Sequence, residues 1–285
     1  MILEHEIPQG SKLYFGDTAR VKRHIETVAS DVLYKNGFEE IVTPLFSHHQ
    51  HHSIADEKEL IRINDEKNHN ISLRADSTID AVRLIQKRLG RNTPQKKWFY
   101  IQPVFTYPTN EQYQVGVESI GSDDLGECIN LAMEILEDLE VKPLLQISNI
   151  KIPQLLAEMF EELNLDDFRH INIDKILSVG SKWLKELVYL QHVDQLDPLI
   201  EIVPPQIKVE LQKIKDLVEN ISYENVVIAP IYYAKMLYYH ELFFRVIENN
   251  EVYARGGEYK VDEETSVGFA IYTDELIEKI GRINE

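Results

Sequence analysis

Two long strand-like stretches, Lys97 to Tyr107 and Gln112 to Ile120, follow one another with only a short turn around Thr109-Asn110 between them. A connection that short joins strands only as an antiparallel hairpin, because parallel neighbours need a crossover. A doubly wound parallel sheet therefore fits this chain poorly.

The rest of the periodicity agrees. Thr18 to Asn36 sets Val21, Ile25, Val28, Val32 and Leu33 at helical spacing, with Asp17 as the expected N-cap and Gly37 just past the end. Phe38 to Thr43 reads as a short strand stopped by Pro44, and Glu59 to Asn64 and Asn70 to Arg74 read as strands around a polar turn. Ser77 and Asp80 resemble a capping box for a helix that Gly90 can end. Asp123 to Leu139 is a further amphipathic helix, and Pro143 to Ile150 a further strand. From about 151 to 222 nearly everything reads as short helices, which is expected to be a helical insertion. Strand character returns at Asn225 to Tyr233, Tyr239 to Glu248 and Glu251 to Ala254, the last two joined by Asn249-Asn250. Ser266 to Tyr272 is one more strand, before a closing helix that Thr273 can cap. The expectation is an α+β fold built on an antiparallel sheet flanked by helices.

Charge narrows the function. Against 30 Lys and Arg stand 48 Asp and Glu, a formal charge of −18 over 285 residues. Whole-chain repulsion of phosphate argues against a nucleic-acid binder, and no long basic cluster offsets it. The single cysteine, Cys128, has no internal disulfide partner, and no apolar run is long enough to span a bilayer. A cytoplasmic location is expected, with no membrane association.

The run His48-His49-Gln50-His51-His52 lacks a nearby Cys and the spacing of a zinc protease, so it reads as a surface turn rather than a metal site. Gly256-Gly257 lacks the context of a phosphate-binding loop and reads as a tight turn, and Cys128 as a small buried residue on an apolar helix face. More informative is Gln114-Val115-Gly116-Val117-Glu118. On a strand Gln114 and Glu118 share a face, and Gly116 between them leaves room for something to approach. Asp76 and Thr78 at a helix start, and Tyr238 and Tyr239 at a strand start, could complete a small polar pocket. Spacing alone leaves open that all of these are ordinary polar positions on a solvent-facing sheet.

Leu73-Arg74-Ala75-Asp76-Ser77-Thr78, the two hairpin strands, Leu237 to Val246, Gly256-Gly257-Glu258-Tyr259 and Val267-Gly268-Phe269-Ala270-Ile271 stand in the order found in the catalytic domain of histidyl-tRNA synthetases. The resemblance covers nearly the whole chain, and Gly37 to Pro44 resembles the class II dimer-interface motif. It implies a class II synthetase-like domain over residues 1–285, an antiparallel sheet with a small helical insertion at about 151–222, and a homodimer. It also implies a histidine pocket, with Asp76, Thr78 and Gln114 toward the α-amino group and Glu118, Tyr238 and Tyr239 toward the imidazole.

Three departures bear on activity. The synthetases' Phe-Arg-x-Glu is Phe105-Thr106-Tyr107-Pro108 here, their catalytic arginine falls on Ala234, and their third-motif arginine on Glu275. About four units of positive charge are lost from a polyphosphate site, where each pair at ~6 Å and an effective dielectric of ~20 is worth roughly 3 kcal/mol. Adenylation is not expected, no catalytic residue is assigned and no cofactor is implied. The chain also ends where the synthetases begin an anticodon-binding domain, so none is expected. A synthetase-like domain with neither feature resembles the regulatory subunits of ATP phosphoribosyltransferase, the first enzyme of histidine biosynthesis. Its implied partner is the short-form catalytic subunit of that transferase, which it would activate while sensing histidine. The alternative is an inactive synthetase paralogue that serves another partner as histidine sensor or scaffold.

Overall fold

The structure, a computed structural model, describes residues 6–48, 56–90, 93–233, 239–261 and 264–283. The chain forms two compact units: residues 1–121, 261–264 and 269–285 make the first, and residues 122–260 and 265–268 the second.

In the first unit α1 (Gly16–Lys35) buries Ile25, Ala29, Val32 and Leu33 on one stripe. Its N-cap is Phe15, not Asp17, and the local closure comes from Thr18, whose Oγ1 accepts from the Phe15 N–H at 3.1 Å. Gly37 ends the helix at φ +81°, a conformation that penalises any residue with a Cβ. The stripe packs on α10 (Thr273–Ile283). On α1 itself Tyr34 is exposed, and beyond the helix Phe15 is 74% exposed and Val42 80%, with Leu13, Leu45 and Phe46 also exposed.

The expected strand at 38–43 shortens to β1 (Glu39–Glu40), which pairs in parallel with β5 (Lys97–Thr106). β5 and β6 (Asn110–Ile120) form the predicted antiparallel hairpin, with Gln102 opposite Gln114, Tyr100 opposite Gly116 and Trp98 opposite Glu118. The strand order in this unit runs β1-β5-β6-β11, where β11 is Glu264–Tyr272. A smaller sheet sets β4 (Asn70–Leu73) between β2 (Phe46–Ser47) and β3 (Arg62–Asn64).

Two expected caps are absent. Ser77 precedes α2 (Thr78–Leu84) without a capping bond, because its hydroxyl accepts instead from Gln102 Nε2 at 3.2 Å. Thr273 is the first residue of α10, and its buried hydroxyl has no hydrogen-bond partner.

The second unit has the strand order β11-β10-β9-β7-β8, with β7 (Leu144–Asn149), β8 (Val226–Ile228), β9 (Tyr239–Glu248) and β10 (Glu251–Val261). β9 is antiparallel to both β10 and β7, while β7 and β8 are parallel. The α+β expectation holds, with these short parallel pairings added to it. Gly256-Gly257 is not a turn: it lies inside β10 opposite Phe244 and Phe243. A Cβ on Gly257 would stand 2.7 Å from Phe243 Cβ and 2.8 Å from Tyr239 Cδ1, so glycine here permits close packing of neighbouring strands.

Helix α3 (Leu125–Asp138) is capped by Asp124, whose carboxylate accepts from the Glu127 N–H at 2.8 Å, and it buries Cys128 as expected. From α4 (Lys151–Met159) through α5 (Leu165–Arg169), α6 (Ile173–Ser178), α7 (Lys182–Val188) and α8 (Leu196–Ile200) to α9 (Pro205–Glu219), the chain is helical where a helical block is read from the sequence. Lys213 on α9 ties the block to the sheet by donating to Glu210 at 3.1 Å and to Glu241 on β9 at 2.6 Å. Among the described residues no helix is long and apolar enough to cross a membrane.

Candidate functional site

A buried polar cluster inside the first unit is built on the β5–β6 hairpin. Gln114, Gly116 and Glu118 alternate along β6, so their side-chain positions share one face. That face is not solvent: Glu118 is 1% exposed and Gln114 7%. The space above Gly116 is taken by this chain's own Tyr100, to whose ring a Cβ at 116 would come within 2.1 Å. The room inferred from glycine thus seats a phenol. Tyr100 Oη donates to Glu118 Oε1 at 3.0 Å and lies 3.3 Å from Thr78 Oγ1. Burial pushes the Tyr100 hydroxyl well above its ordinary pKa, and the charges of Glu118 and Asp76 push it further in the same direction. The phenol therefore stays protonated and serves as a donor.

Asp76, 8% exposed, follows a residue that anchors the segment. Arg74 is fully buried at 1% exposure. Its Nε and Nη2 donate to the Pro103 carbonyl at 3.0 and 2.7 Å, and its Nη1 to Thr43 O, Thr43 Oγ1 and Pro44 O at 3.0, 3.0 and 3.3 Å. A buried guanidinium satisfied by carbonyls pins β4's exit against the Thr43-Pro44 segment and β5. Its structural role was not separable from the motif around it in the sequence, because an arginine beside an aspartate carries no mark of burial.

The first unit therefore brings together Asp76, Thr78, Gln114 and Glu118, with Tyr100 as the member that spacing missed. Two desolvated carboxylates and a neutral phenol suit a cationic or N–H-rich group, such as an ammonium or an imidazole. Tyr239 belongs to the second unit, where its ring stacks on Phe243 with centroids 5.8 Å apart. Tyr238, Ala234 and Lys235 lie outside the described residues. Thr106 is the last residue of β5, and Glu275 lies in the first turn of α10. Burial raises the Glu275 pKa, with the Asp274 charge adding to the rise; one carboxylate oxygen lies 3.5 Å from Gln112 Nε2, and the other is buried without a hydrogen-bond partner. An acid in this state is poorly suited to polyphosphate. Of the histidine-rich run only His48 lies among the described residues, and no group of three or more His, Cys, Asp or Glu there could hold a metal ion.

Residues 14–276 match the histidyl-tRNA synthetase family, which defines the class of the fold. An ATP phosphoribosyltransferase regulatory subunit from Wolinella succinogenes is 50% identical over 285 residues, covering 100% of this chain and 99% of that protein. The chain belongs to the family of ATP phosphoribosyltransferase regulatory subunits, which carries the histidyl-tRNA synthetase-like fold. The crystal structure of an ATP phosphoribosyltransferase regulatory subunit/histidyl-tRNA synthetase from Bacillus halodurans superposes with a TM-score of 0.86 at 19% identity, over 98% of this chain and 84% of that one. The ATP phosphoribosyl transferase (HisG:HisZ) complex from Thermotoga maritima matches at a TM-score of 0.66 and 19% identity, over 88% of this chain and 97% of that one. The relatives' names describe a regulatory subunit and not a catalytic one.

Proposed function

We propose that this chain is the non-catalytic subunit that binds and activates the short-form ATP phosphoribosyltransferase in the first step of histidine biosynthesis, acting in the cytoplasm as a homodimer within a hetero-oligomer. The observation that carries this reading is the 50% identity to a regulatory subunit along the entire chain. The replacement of basic side chains by Thr106 and the half-buried Glu275 supports it, since neither can stabilise a developing phosphoryl charge.

The buried polar cluster around Glu118 is the proposed histidine site, with Asp76, Thr78 and Gln114 on the amino side and Glu118 on the imidazole side. Glu118 already accepts one hydrogen bond from Tyr100, and its charge is the feature that would hold an imidazole N–H. Calorimetric titration tests this: Glu118→Gln should weaken histidine binding by about 1–3 kcal/mol, the scale for losing a charged hydrogen-bond partner. Equal affinity in the wild type and the variant would rule out Glu118 as a histidine ligand. Because effects on affinity are reciprocal, histidine affinity should also change when the transferase is bound.

A further inference from the structure

Residues 81–110 contain six Lys and Arg and no Asp or Glu, in a chain whose formal charge is −18. The six are spread along the sequence, and the fold of the first unit gathers three of them. After Leu84 the helix α2 widens into a π turn, Ile85–Leu89, closed by the Gly90 N–H donating to the Ile85 carbonyl at 2.7 Å. Residue i+5 faces away from i in a regular α-helix, and an i→i+5 turn swings it back toward the same side. Arg83, Lys87 and Arg88 accordingly line one pocket of about 260 Å³, walled by Pro44, Phe46 and Leu84. Arg83 is half-buried, and Lys87 and Arg88 are exposed. Like charges four residues apart on a helix destabilise it, and among the described residues none of the three has an ion pair to offset this. The carboxylate at the pocket is Asp80, which is 8% exposed and whose charge acts on the buried Arg74.

We infer that the pocket lined by Arg83, Lys87 and Arg88 binds the phosphate group of a small phosphate ester. An anion lying among the three side chains turns their mutual repulsion into charge-assisted contacts, and the two guanidinium forks match phosphate oxygens. Phosphate is favoured over carboxylate by charge. Three cations against Asp80 leave a formal +2, histidine not counted, which matches the charge of about −1.5 to −2 on a phosphate near neutral pH, whereas a carboxylate compensates only half of it. A bare phosphate would leave the wall of Pro44, Phe46 and Leu84 uncovered, so an ester with an apolar body fits the pocket better than the free ion.

The test uses the full chain with phenyl phosphate, inorganic phosphate and benzoate as probes, titrated calorimetrically at fixed ionic strength. The site predicts that phenyl phosphate binds more tightly than the other two, and that Lys87→Gln and Arg88→Gln each weaken it about tenfold, as expected when one charge-assisted contact is lost. Both side chains are exposed, so the variants should melt close to the wild type. Arg20→Gln removes the same charge from an exposed position on α1 and should leave the affinity unchanged. Equal weakening by Arg20→Gln would mark general electrostatics and overturn the site, as would no heat with phenyl phosphate in the wild type. Inorganic phosphate binding as tightly as phenyl phosphate would overturn the ester, and benzoate binding as tightly would overturn the phosphate. Phe46 also lies on the face proposed for the dimer, so the mass is followed by light scattering in the same samples. A dimer lost in Lys87→Gln or Arg88→Gln, with no phosphate heat in the wild type, would overturn the ligand site and reassign the pocket to a contact between copies.

Discussion

Single side chains in this molecule hold charge states that their surroundings set, and Glu258 on β10 is the clearest case. Burial raises its carboxyl to about 7, with Glu241 and Asp123 adding to the rise and the Leu242 N–H and Lys213 opposing it. An acid whose folded pKa lies above its unfolded value contributes stability that is fully present below the unfolded pKa and lost as pH climbs through the folded one. Here that window runs from about 4.5 to about 7. Glu258→Gln keeps an acceptor for the Leu242 N–H but carries no charge. Denaturant unfolding should find the variant more stable than the wild type by about 1–3 kcal/mol at pH 8, with the difference vanishing near pH 4. A gap that is constant with pH would show that the side chain acts through packing alone. The sequence marks Glu258 only as a member of the Gly256-Gly257-Glu258-Tyr259 motif; its protonation depends on α9 and β9 residues distant in the chain.

Among the elements, the β5–β6 hairpin was the most legible, because its shortness of turn and strand composition are local facts. The bounds of β9 follow from its sequence for the same reason. Where the reading failed, the deciding partner lay elsewhere in the chain. Gly256-Gly257 carries the same letters in a turn or a strand, and only the Phe243 and Tyr239 side chains on the neighbouring strand require the strand form. Ser77 lost its capping role to Gln102, a competitor that spacing does not reveal. Gly116 was legible as a site of close approach but not for what approaches it. The ring of Tyr100 over Gly116 makes a prediction for the hairpin: Gly116→Ala should destabilise the fold by about 1–3 kcal/mol, because backbone and a buried aromatic must both move. Chemical denaturation would check this, and a variant within a few tenths of a kcal/mol of the wild type would show that the ring has space to yield.

For the whole molecule, a homodimer needs exposed apolar surface, and the apolar stripe of the first helix does not supply it. α1 buries its stripe on α10. Among the exposed apolar residues of the first unit, Val42, Leu45 and Phe46 lie in or beside the segment that resembles the class II dimer motif. Scattered exposed side chains need no partner, but several within a few residues fit an interface. Light scattering at micromolar concentration should give a dimeric mass for the wild type and a monomeric one for Val42→Asp, which places a charge where an apolar contact is proposed. A wild-type monomer would remove the homodimer.

The claim that organises all of these scales is that a synthetase-like fold without phosphate-handling arginines at its family positions serves as an activator. The most direct measurement is the rate of the short-form ATP phosphoribosyltransferase from the same source, assayed alone and with a titrated excess of this chain. The account predicts a rate that rises with added chain and saturates as the complex forms, in step with association seen by light scattering. A transferase whose rate is unchanged by a saturating excess, with no complex formed, would contradict it.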